Sequence, residues 1–289
     1  MAGPATRTVS LSRKEKIMSM PGAAAQKIVL PGVRYTLAVA SGKGGVGKST
    51  VAVNLALALR QKASRVGLLD ADIYGPSIPM MLGLGTVDPR LAKFPLEKFG
   101  MKVMSMGFLV PPDRAVIWRG PMVHKAVAQF LSDIDWGELD FLVVDLPPGT
   151  GDAQLTLTQS ASLTGAIIVT TPQDVSLIDA RKGLRMFQEV RVPVLGIVEN
   201  MSYFICPKCG ERWEIFRHGG GKRCAEELGV PFLAAIPIDP TVAVQGDSGV
   251  PIVESHPDSE VARVYRQLAD RVLAAAASAE AEQPPIPSL

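Results

Sequence analysis

A glycine-rich segment with two lysines is the part of the chain whose residue types most directly predict chemistry. Residues 41–50 read SGKGGVGKST and match the pattern G-x-x-x-x-G-K-[ST] of a phosphate-binding loop. The backbone N–H groups of such a loop, and the positive end of the helix after it, bind phosphate oxygens. The spacing therefore predicts an ATP site. Its predicted binding residues are Gly42, Lys43, Gly44, Gly45, Val46, Gly47, Lys48, Ser49 and Thr50.

Three polar side chains of this loop have separate predicted roles. Lys48 supplies a cation near the β- and γ-phosphates, and the hydroxyl of Ser49 is a predicted ligand of Mg²⁺. Lys43 is a second lysine on the side where the γ-phosphate would lie, which is the deviant form of the motif. A cation there neutralises charge that develops in phosphoryl transfer, in its own chain or in a partner chain. We therefore predict that Lys43 and Lys48 are catalytic; a solvated loop lysine is the alternative for Lys43.

Three aspartates follow apolar runs farther along the chain. Asp70 and Asp72 lie in LLDAD, and Asp145 ends the run FLVVD. Hydrolysis of a phosphoanhydride needs a positioned water and a bound Mg²⁺ more than it needs covalent help. We predict that Asp72 positions the attacking water, and that Asp70 and Asp145 bind Mg²⁺ directly or through water. A helix N-cap is the alternative for Asp70 or Asp72 taken singly.

Two further segments have the composition of nucleotide-responsive loops. Residues 146–152 read LPPGTGD, and their Gly and Pro content is typical of a switch loop that responds to the γ-phosphate. Asn200 follows another apolar run, and its amide is predicted to contact the adenine edge. An Asx turn is the alternative for Asn200.

Two of the three cysteines, Cys206 and Cys209, lie in the run CPKCG, which has the form of a metal-binding turn. A tetrahedral zinc ion or a 4Fe–4S cluster has four protein ligands, so this pair needs two more. A second copy of the chain would supply its own pair, and we favour this shared iron–sulfur cluster. The alternatives are a zinc ion that also binds His218 and Cys224 of the same chain, or a redox or inert pair. Cys224 falls in a helical pattern, where a buried thiol is common.

The elements that position these residues alternate between strands and helices. The predicted strands are Tyr35–Ala40, Arg65–Leu69, Phe141–Val144, Ala166–Thr171 and Val194–Glu199, and the predicted helices are Lys48–Lys62, Pro121–Leu131, Leu177–Val190 and Ser259–Ala277. Because the strand runs are continuously apolar, we predict a doubly wound α/β fold with a mostly parallel sheet. Ligands of such sheets lie beyond the carboxyl ends of the strands, which is where the loop and the aspartates fall.

The ends of the chain differ in composition from the single domain predicted over residues 33–278. Residues 1–32 are rich in Ala, Pro, Gly and Met, and we predict a mobile arm there. Its basic, acid-poor start is also typical of a transit-peptide remnant, which favours the mitochondrial matrix over the cytoplasm as the location. Residues 279–289 carry three prolines, which cannot continue a helix, and are predicted to be a disordered tail.

Overall composition argues against several classes of protein. Lys and Arg number 30 against 28 for Asp and Glu, so net charge gives no general attraction to nucleic acid or acidic lipid. Three cysteines are too few for a disulfide scaffold and indicate a reducing compartment. No apolar run has the length of a membrane-spanning helix. We therefore expect neither nucleic-acid binding nor an integral membrane segment.

Taken together, these residues resemble the Mrp and NUBPL-type iron–sulfur assembly ATPases, relatives of the MinD and ParA ATPases and of the nitrogenase iron protein. The resemblance runs from Val33 to Leu273 and rests on the blocks ASGKGGVGKST, LLDADIYGPSIP, MSMGFL, WRGPMV, DWGELDFLVVDLPPGTGD, TPQDVSLIDARKG, VENMS, CPKCG and GVPFLAAIPIDP. These blocks look most like those of the mitochondrial member that assembles respiratory complex I. The run RHGGG at residues 217–221 departs from the family pattern and keeps the zinc alternative open.

The resemblance implies a homodimer that binds two ATP molecules and hydrolyses them slowly. It implies a labile 4Fe–4S cluster held between Cys206 and Cys209 of both chains and delivered to apo-proteins, with complex I subunits as recipients. By position, Lys43 would contact the nucleotide of the partner chain, Asp72 would position water and Asn200 would touch adenine.

Two other functions compete with the cluster carrier. A ParA- or MinD-like positioning ATPase would carry a basic amphipathic helix or a basic DNA-binding face, whereas the last predicted helix is rich in Ala and such a function leaves CPKCG unexplained. A zinc-stabilised nucleotide switch would use the cysteines only as structural ligands.

Overall fold

The computed structural model describes residues 27–62, 64–73, 75–85, 87, 94–108, 129–217 and 219–282. Its strands are β1 (Val33–Ala40), β2 (Val66–Asp70), β3 (Leu96–Lys98), β4 (Met101–Ser105), β5 (Leu139–Asp145), β6 (Gly165–Thr170), β7 (Val194–Glu199), β8 (Phe204–Ile205), β9 (Arg212–Trp213) and β10 (Phe232–Ala235). Its helices are α1 (Lys48–Gln61), α2 (Ile78–Met81), α3 (Asp152–Ser160), α4 (Asp174–Glu189), α5 (Gly220–Leu228), α6 (Pro240–Asp247), α7 (Ile252–Ser255) and α8 (Glu260–Glu282).

Eight of these strands form one sheet in the order β10-β7-β6-β1-β5-β2-β4-β3. Neighbouring strands run parallel except β3, which pairs antiparallel with β4 at one edge. Strands β8 and β9 form a separate antiparallel hairpin. The predicted doubly wound, mostly parallel sheet is confirmed.

Helices cover both faces of the sheet, which explains why the central strands have no polar alternation. Successive residues of β5 point to opposite cores: Phe141 and Val143 pack in one, and Leu142 and Val144 pack in the other. Helices α1 and α8 contribute to the first core, and α3, α4 and α5 contribute to the second. The carboxyl ends of β1, β2, β5, β6 and β7 therefore share one edge of the sheet, where the predicted site residues follow them.

The ordered domain extends beyond both predicted boundaries. In the predicted arm, Ile28 exchanges backbone hydrogen bonds with Ser160 and Ser162, at 2.7 and 2.9 Å, so residues 27–32 pack on the domain. At the other end α8 continues to Glu282, because the Tyr35 hydroxyl donates to Glu280 at 2.7 Å and holds the last turns. The predictions of an arm and a tail were therefore wrong for residues 27–32 and 279–282. Residues 1–26 and 283–289 lie outside the described residues.

The predicted strands agree with β1, β2, β5, β6 and β7 to within two residues at each end, and three predicted helices correspond to α1, α4 and α8. Residues 121–128 of the predicted helix Pro121–Leu131 lie outside the described residues. Within the part of the chain that the structure describes, no helix combines the length and apolarity needed to cross a bilayer.

Candidate functional site

The glycine-rich loop connects the buried end of β1 to the first turn of α1. Gly45 and Gly47 have φ angles of 80° and 79°, in the left-handed region that glycine adopts without a steric penalty. Gly47 is also the N-cap of α1, and its carbonyl accepts the first helical hydrogen bond. A Cβ atom on Gly44 or Gly45 would meet no atom within 4 Å, so the outer face of the loop leaves room for phosphate oxygens.

The start of the loop is held from two sides. The Ser41 hydroxyl donates to the Lys43 carbonyl at 2.8 Å, and the Ser41 carbonyl accepts from the Gly149 N–H at 2.9 Å. Gly149 belongs to the predicted switch segment LPPGTGD, so this segment lies directly against the loop. A Cβ atom on Gly42 would lie 2.2 Å from the Asp179 carbonyl oxygen of α4. Only glycine therefore fits at this position.

Lys48 is buried and paired with acids that follow other strands. Its Nζ lies 2.6 Å from Asp145 Oδ1 and 3.8 Å from Asp72 Oδ2, with exposed side-chain fractions of 5%, 0% and 10% for the three residues. The Nζ also lies 3.5 Å from the Ser49 hydroxyl. Four of the predicted site residues are therefore in one cluster, and a phosphate that binds Lys48 must compete with Asp145 for its charge.

One carboxylate oxygen of Asp145 is the feature of the site that could bind a metal ion. Its Oδ2 is buried without a hydrogen-bond partner among the described residues. Burial raises the pKa of Asp145, and the nearby Lys48 ammonium and Ser49 hydroxyl oppose that shift. An unpartnered carboxylate oxygen beside a serine hydroxyl suits Mg²⁺, a hard cation that binds oxygen ligands and retains water. Asp145 and Ser49 therefore fit the predicted magnesium site.

Asp70 is engaged differently from its two neighbours. Its carboxyl group is buried and accepts hydrogen bonds from the Ser105 hydroxyl at 2.9 Å, the Asp72 N–H at 3.1 Å and the Ile78 N–H at 3.3 Å. Burial, and then the charge of Asp145, raise the pKa of Asp70 to about 7. Asp70 therefore supports the start of α2 through the Ile78 N–H, but it is not the N-cap of that helix, which is Ser77. Its role toward Mg²⁺ stays a prediction.

Asn200 lies in a tight turn after β7 and contacts the phosphate loop directly. Its Nδ2 donates to the Val46 carbonyl at 2.9 Å, and a Cβ atom on Gly47 would lie 2.3 Å from the same nitrogen. Met201, the next residue, has a φ of 55°, and this left-handed turn directs the asparagine back to the loop. In this structure Asn200 therefore supports the loop backbone, and its predicted contact with adenine stays a prediction.

The CPKCG run forms the end of the β8–β9 hairpin. The Cys206 N–H donates to the Glu211 carbonyl at 2.9 Å, and the Gly210 N–H donates to the Cys206 carbonyl at 2.8 Å. Cys206 is half-buried and Cys209 is exposed. Hydrogen bonds from the Cys209 and Lys208 backbone N–H groups, and from the Cys209 thiol, lower the pKa of Cys206. A thiol whose pKa is lowered more readily provides the thiolate that binds metals.

Cys224 is placed apart from this pair. It lies on α5 with 1% of its surface exposed and packs in the second core, where burial raises the pKa of its thiol. His218 lies outside the described residues. Among the residues that the structure does describe, no three His, Cys, Asp or Glu side chains are grouped to hold a metal ion. The zinc set with Cys224 as a ligand therefore finds no support, because the core encloses that thiol.

Comparison with known proteins agrees with this combination of a phosphate loop and a cysteine hairpin. The ParA family model described as NUBPL iron-transfer P-loop NTPase matches residues 32–273. The chain belongs to this family of P-loop NTPases. An iron-sulfur cluster carrier protein of Aquifex aeolicus is 56% identical over 245 residues, which cover 83% of this chain and 67% of the relative. An Arabidopsis thaliana protein named as an iron-sulfur protein required for NADH dehydrogenase, mitochondrial, is 50% identical over 256 residues, covering 87% of this chain and 82% of the relative.

Solved structures share the fold of this chain. A nucleotide-binding protein of Archaeoglobus fulgidus in complex with ADP is 42% identical, with a TM-score of 0.67, and covers 75% of this chain and 87% of its own. The cell division ATPase MinD of Pyrococcus furiosus has a TM-score of 0.62 at 22% identity, covering 83% of this chain and 98% of its own, which shows a shared fold.

Sequence reasoning missed two buried side chains that shape the site. Ser105 ends β4 and donates to Asp70, and Glu199 ends β7 and binds both the Ser202 hydroxyl and the Gly221 N–H. Both lie at the carboxyl end of a strand, next to residues of the predicted site, so their position along the strand was the signal that could have found them.

Proposed function

We propose that the chain is an ATP-binding iron–sulfur cluster carrier that assembles a labile 4Fe–4S cluster and transfers it to apo-proteins. The observation that carries the proposal is the accessible hairpin of Cys206 and Cys209, with a lowered pKa for Cys206, in a chain that also has a complete phosphate loop. A carrier must release its cargo, and thiols at an accessible turn suit release better than buried thiols do. The relatives named as cluster carriers support this role.

The cluster is proposed to be shared between two copies of the chain. Two thiolates satisfy half of the four positions of a 4Fe–4S cluster, and a second copy related by twofold symmetry supplies the other pair. A site divided between two chains opens when the chains separate, which gives the homodimer a route for delivery. Subunits of respiratory complex I are the proposed recipients, in line with the name of the Arabidopsis relative. The proposed location is the mitochondrial matrix, with the cytoplasm as the alternative, because the relatives include one named as mitochondrial and others from bacteria.

ATP hydrolysis is proposed to use the acidic cluster around Lys48. Phosphate oxygens of ATP replace Asp145 as partners of the Lys48 ammonium, which lies 2.6 Å from that carboxylate. Asp145 and Ser49 would hold Mg²⁺, which would supply positive charge to the phosphates. Asp72, whose Oδ2 lies 3.8 Å from Lys48 Nζ, is positioned to orient the attacking water. Lys43 adds a second cation at the γ-phosphate, in the site of the partner chain.

Anaerobic reconstitution with iron and sulfide tests the carrier proposal. We expect the wild-type protein to form a brown dimer with about four irons per two chains, and Cys206→Ala to remain colourless while staying folded. Cys224→Ala is the matched control: it also removes one thiol, but from the core, and it should retain the iron. A colourless wild-type protein with one zinc ion per chain would refute the carrier proposal in favour of a zinc-stabilised switch.

Steady-state hydrolysis tests the role of Lys43. The variant Lys43→Ala should bind ATP but hydrolyse it about a thousand-fold more slowly, as expected when a cation at the γ-phosphate is removed. Lys62→Ala, which removes a surface lysine paired with Asp270, is the control and should hydrolyse ATP at the wild-type rate. Mixing Lys43→Ala with a variant that cannot bind ATP separates action in the same chain from action in the partner. A Lys43→Ala rate equal to wild type would show that this lysine is only solvated.

A further inference from the structure

A single buried carboxylate holds both ends of the segment that carries the cysteines. Glu199 is the last residue of β7 and has 1% of its surface exposed. Its Oε1 accepts a hydrogen bond from the Ser202 hydroxyl at 2.6 Å, and its Oε2 accepts one from the Gly221 N–H. Ser202 precedes the β8–β9 hairpin and Gly221 lies in the first turn of α5, which follows it. The segment between Ser202 and Gly221, which contains Cys206 and Cys209, is therefore held at both ends by one side chain.

The glycine run after the hairpin allows this close approach. A Cβ atom on Gly221 would lie 2.9 Å from Glu199 Oε2, and one on Gly220 would lie 2.8 Å from the Pro172 carbonyl. Both distances are shorter than side-chain contacts allow, so glycine lets the amino end of α5 reach the carboxylate. A carboxylate at a helix amino end accepts the free N–H groups there and is favoured by the helix dipole. This accounts physically for the glycines of the RHGGG run.

The residue next to Glu199 contacts the nucleotide loop. The backbone N–H of Asn200 donates to the Thr170 carbonyl at 2.8 Å, which fixes it to β6, and its side-chain amide donates to the Val46 carbonyl. Two adjacent side chains at the end of one strand thus hold different elements: Asn200 holds the phosphate loop and Glu199 holds the cysteine segment. A displacement of the loop that moves Asn200 would be transmitted to Glu199 through a single peptide bond.

Three other contacts that the structure describes for this segment are weaker or lie on one leg alone. Arg217 and Asp174 form an ion pair between side chains that are 67% and 61% exposed, and solvent screens such pairs. Backbone hydrogen bonds from the Ser202 N–H to the Ile236 carbonyl, and from the Ile238 N–H to the Tyr203 carbonyl, hold only the first leg. The buried, charge-assisted contacts of Glu199 are stronger and span both legs.

We propose that Glu199 is a positioning residue that links the nucleotide loop to the cysteine hairpin, so that nucleotide binding changes the accessibility of Cys206 and Cys209. The inference rests on the proposed function in that both sites belong to one carrier cycle. It differs from that function in naming the residue that connects them, and it is testable without any cluster.

The test measures thiol alkylation in the metal-free, reduced protein, with and without ATP and Mg²⁺. Peptide mass spectrometry gives separate rates for Cys206 and Cys209, and the buried Cys224 serves as the internal reference. We expect ATP to change the hairpin rates of the wild-type protein by about five-fold or more, the lower end of usual couplings between sites. Glu199→Gln removes the negative charge, so both hydrogen bonds weaken, and its NH₂ group can meet Ser202 only if that hydroxyl turns from donor to acceptor. The ratio of each alkylation rate with ATP to the rate without ATP should therefore fall toward one.

Glu254→Gln is the matched control. Glu254 is a carboxylate that likewise accepts from two groups, the side chains of Arg60 and Gln61, but it is only part-buried and lies on α7, outside the cysteine segment. The Glu254→Gln variant should lose stability but keep the wild-type ratio of alkylation rates with and without ATP. This result would separate a positioning role of Glu199 from a general loss of stability. A wild-type ratio in Glu199→Gln would overturn the inference, and so would a wild-type protein whose rates do not respond to ATP.

A second variant keeps the test decisive if Glu199→Gln does not fold. Ser202→Ala removes one of the two contacts of Glu199 and leaves the carboxylate bound to the Gly221 N–H. It should reduce the effect of ATP on the two rates, and an undiminished effect would overturn the inference. Iron reconstitution of the wild-type protein decides the carrier proposal independently, so the two proposals can fail separately.

Discussion

Replacing Asp70 by asparagine tests whether burial holds this carboxyl group in its neutral form. The side chain is buried at the end of β2 and accepts from the Ser105 hydroxyl and from the N–H groups of Asp72 and Ile78. Burial and the neighbouring Asp145 raise its pKa from 3.8 to about 7. Asparagine has nearly the same shape but does not titrate, so the variant isolates the proton of Asp70.

The sign of the pH dependence follows from the raised pKa. Between the unfolded pKa of 3.8 and the folded pKa of about 7, the folded protein holds a proton that the unfolded chain has released. The free energy of unfolding of the wild-type protein therefore falls as the pH rises, by about 1.4 kcal/mol per pH unit inside that window. From pH 5 to pH 8 the Asp70 contribution falls by about 3 kcal/mol, and the asparagine variant lacks this fall.

We therefore expect Asp70→Asn to be less stable than wild type near pH 5, because it loses the acceptor for one N–H group, at about 1–3 kcal/mol. Toward about pH 8 it should become as stable as wild type or more stable, because it has no buried charge to accommodate. Urea unfolding without added nucleotide or metal, at constant ionic strength, measures the stability difference between variant and wild type at both ends of this pH range.

The control is Asp140→Asn, the same chemical change at a half-buried position near the start of β5. Hydrogen bonds and charge from Arg65 lower the pKa of Asp140, so that group stays ionised throughout the range tested. Its stability difference from wild type should be flat from about pH 5 to about pH 8. A difference for Asp70→Asn that is equally flat would refute the reasoning, since it would mean that Asp70 keeps one protonation state throughout.

Two further predictions concern the phosphate loop. Gly47→Ala should destabilise the fold by more than the roughly 1–2 kcal/mol of a left-handed alanine, because its Cβ would lie 2.3 Å from Asn200 Nδ2. Gly45 has nearly the same φ but open space around its Cβ, so Gly45→Ala should lose only the backbone cost in urea unfolding. Equal losses of unfolding free energy in the two variants would contradict the role of the asparagine contact. Lys48→Met should abolish ATP binding in calorimetry and cost about 3–5 kcal/mol in the nucleotide-free protein, because it leaves Asp145 buried without its counter-ion. This second loss should shrink as the pH falls and Asp145 is protonated, and a loss independent of pH would show that the pair contributes through packing alone.

The central fold could be predicted because its strands are continuous apolar runs covered on both faces. Strands such as β5 and β6 are buried along nearly their whole length, and this pattern is visible in a single sequence. The edge hairpin β3–β4 and the short strand β10 were missed, since three to five residues are too few to establish a period. The limits of α8 also depended on a distant contact, that of Tyr35 with Glu280.

In the candidate site, too, the contiguous motif could be predicted from the sequence, whereas contacts between distant residues could not. The phosphate loop is a contiguous motif, so its residues could be assigned from spacing alone. The pairing of Lys48 with Asp145 joins residues 97 positions apart, and only the parallel alignment of β1 and β5 brings them together. The raised pKa of Asp70 and the orientation of Asn200 depend on burial and on one left-handed residue, neither of which a motif records.

The contacts of the phosphate loop connect it by a short path to the cysteine segment. Lys48 is neutralised by Asp145 and the Val46 carbonyl is bound by Asn200, so internal groups occupy positions near those that phosphates will approach. On the proposed function, ATP displaces the first of these contacts, and the Asp145 carboxylate would then be available to Mg²⁺. Asn200 shares its turn with Glu199, so a change in loop backbone has a short covalent path to the cysteine hairpin. On the proposed function, nucleotide binding and cargo binding are therefore linked through exchange of partners at the ends of β5 and β7.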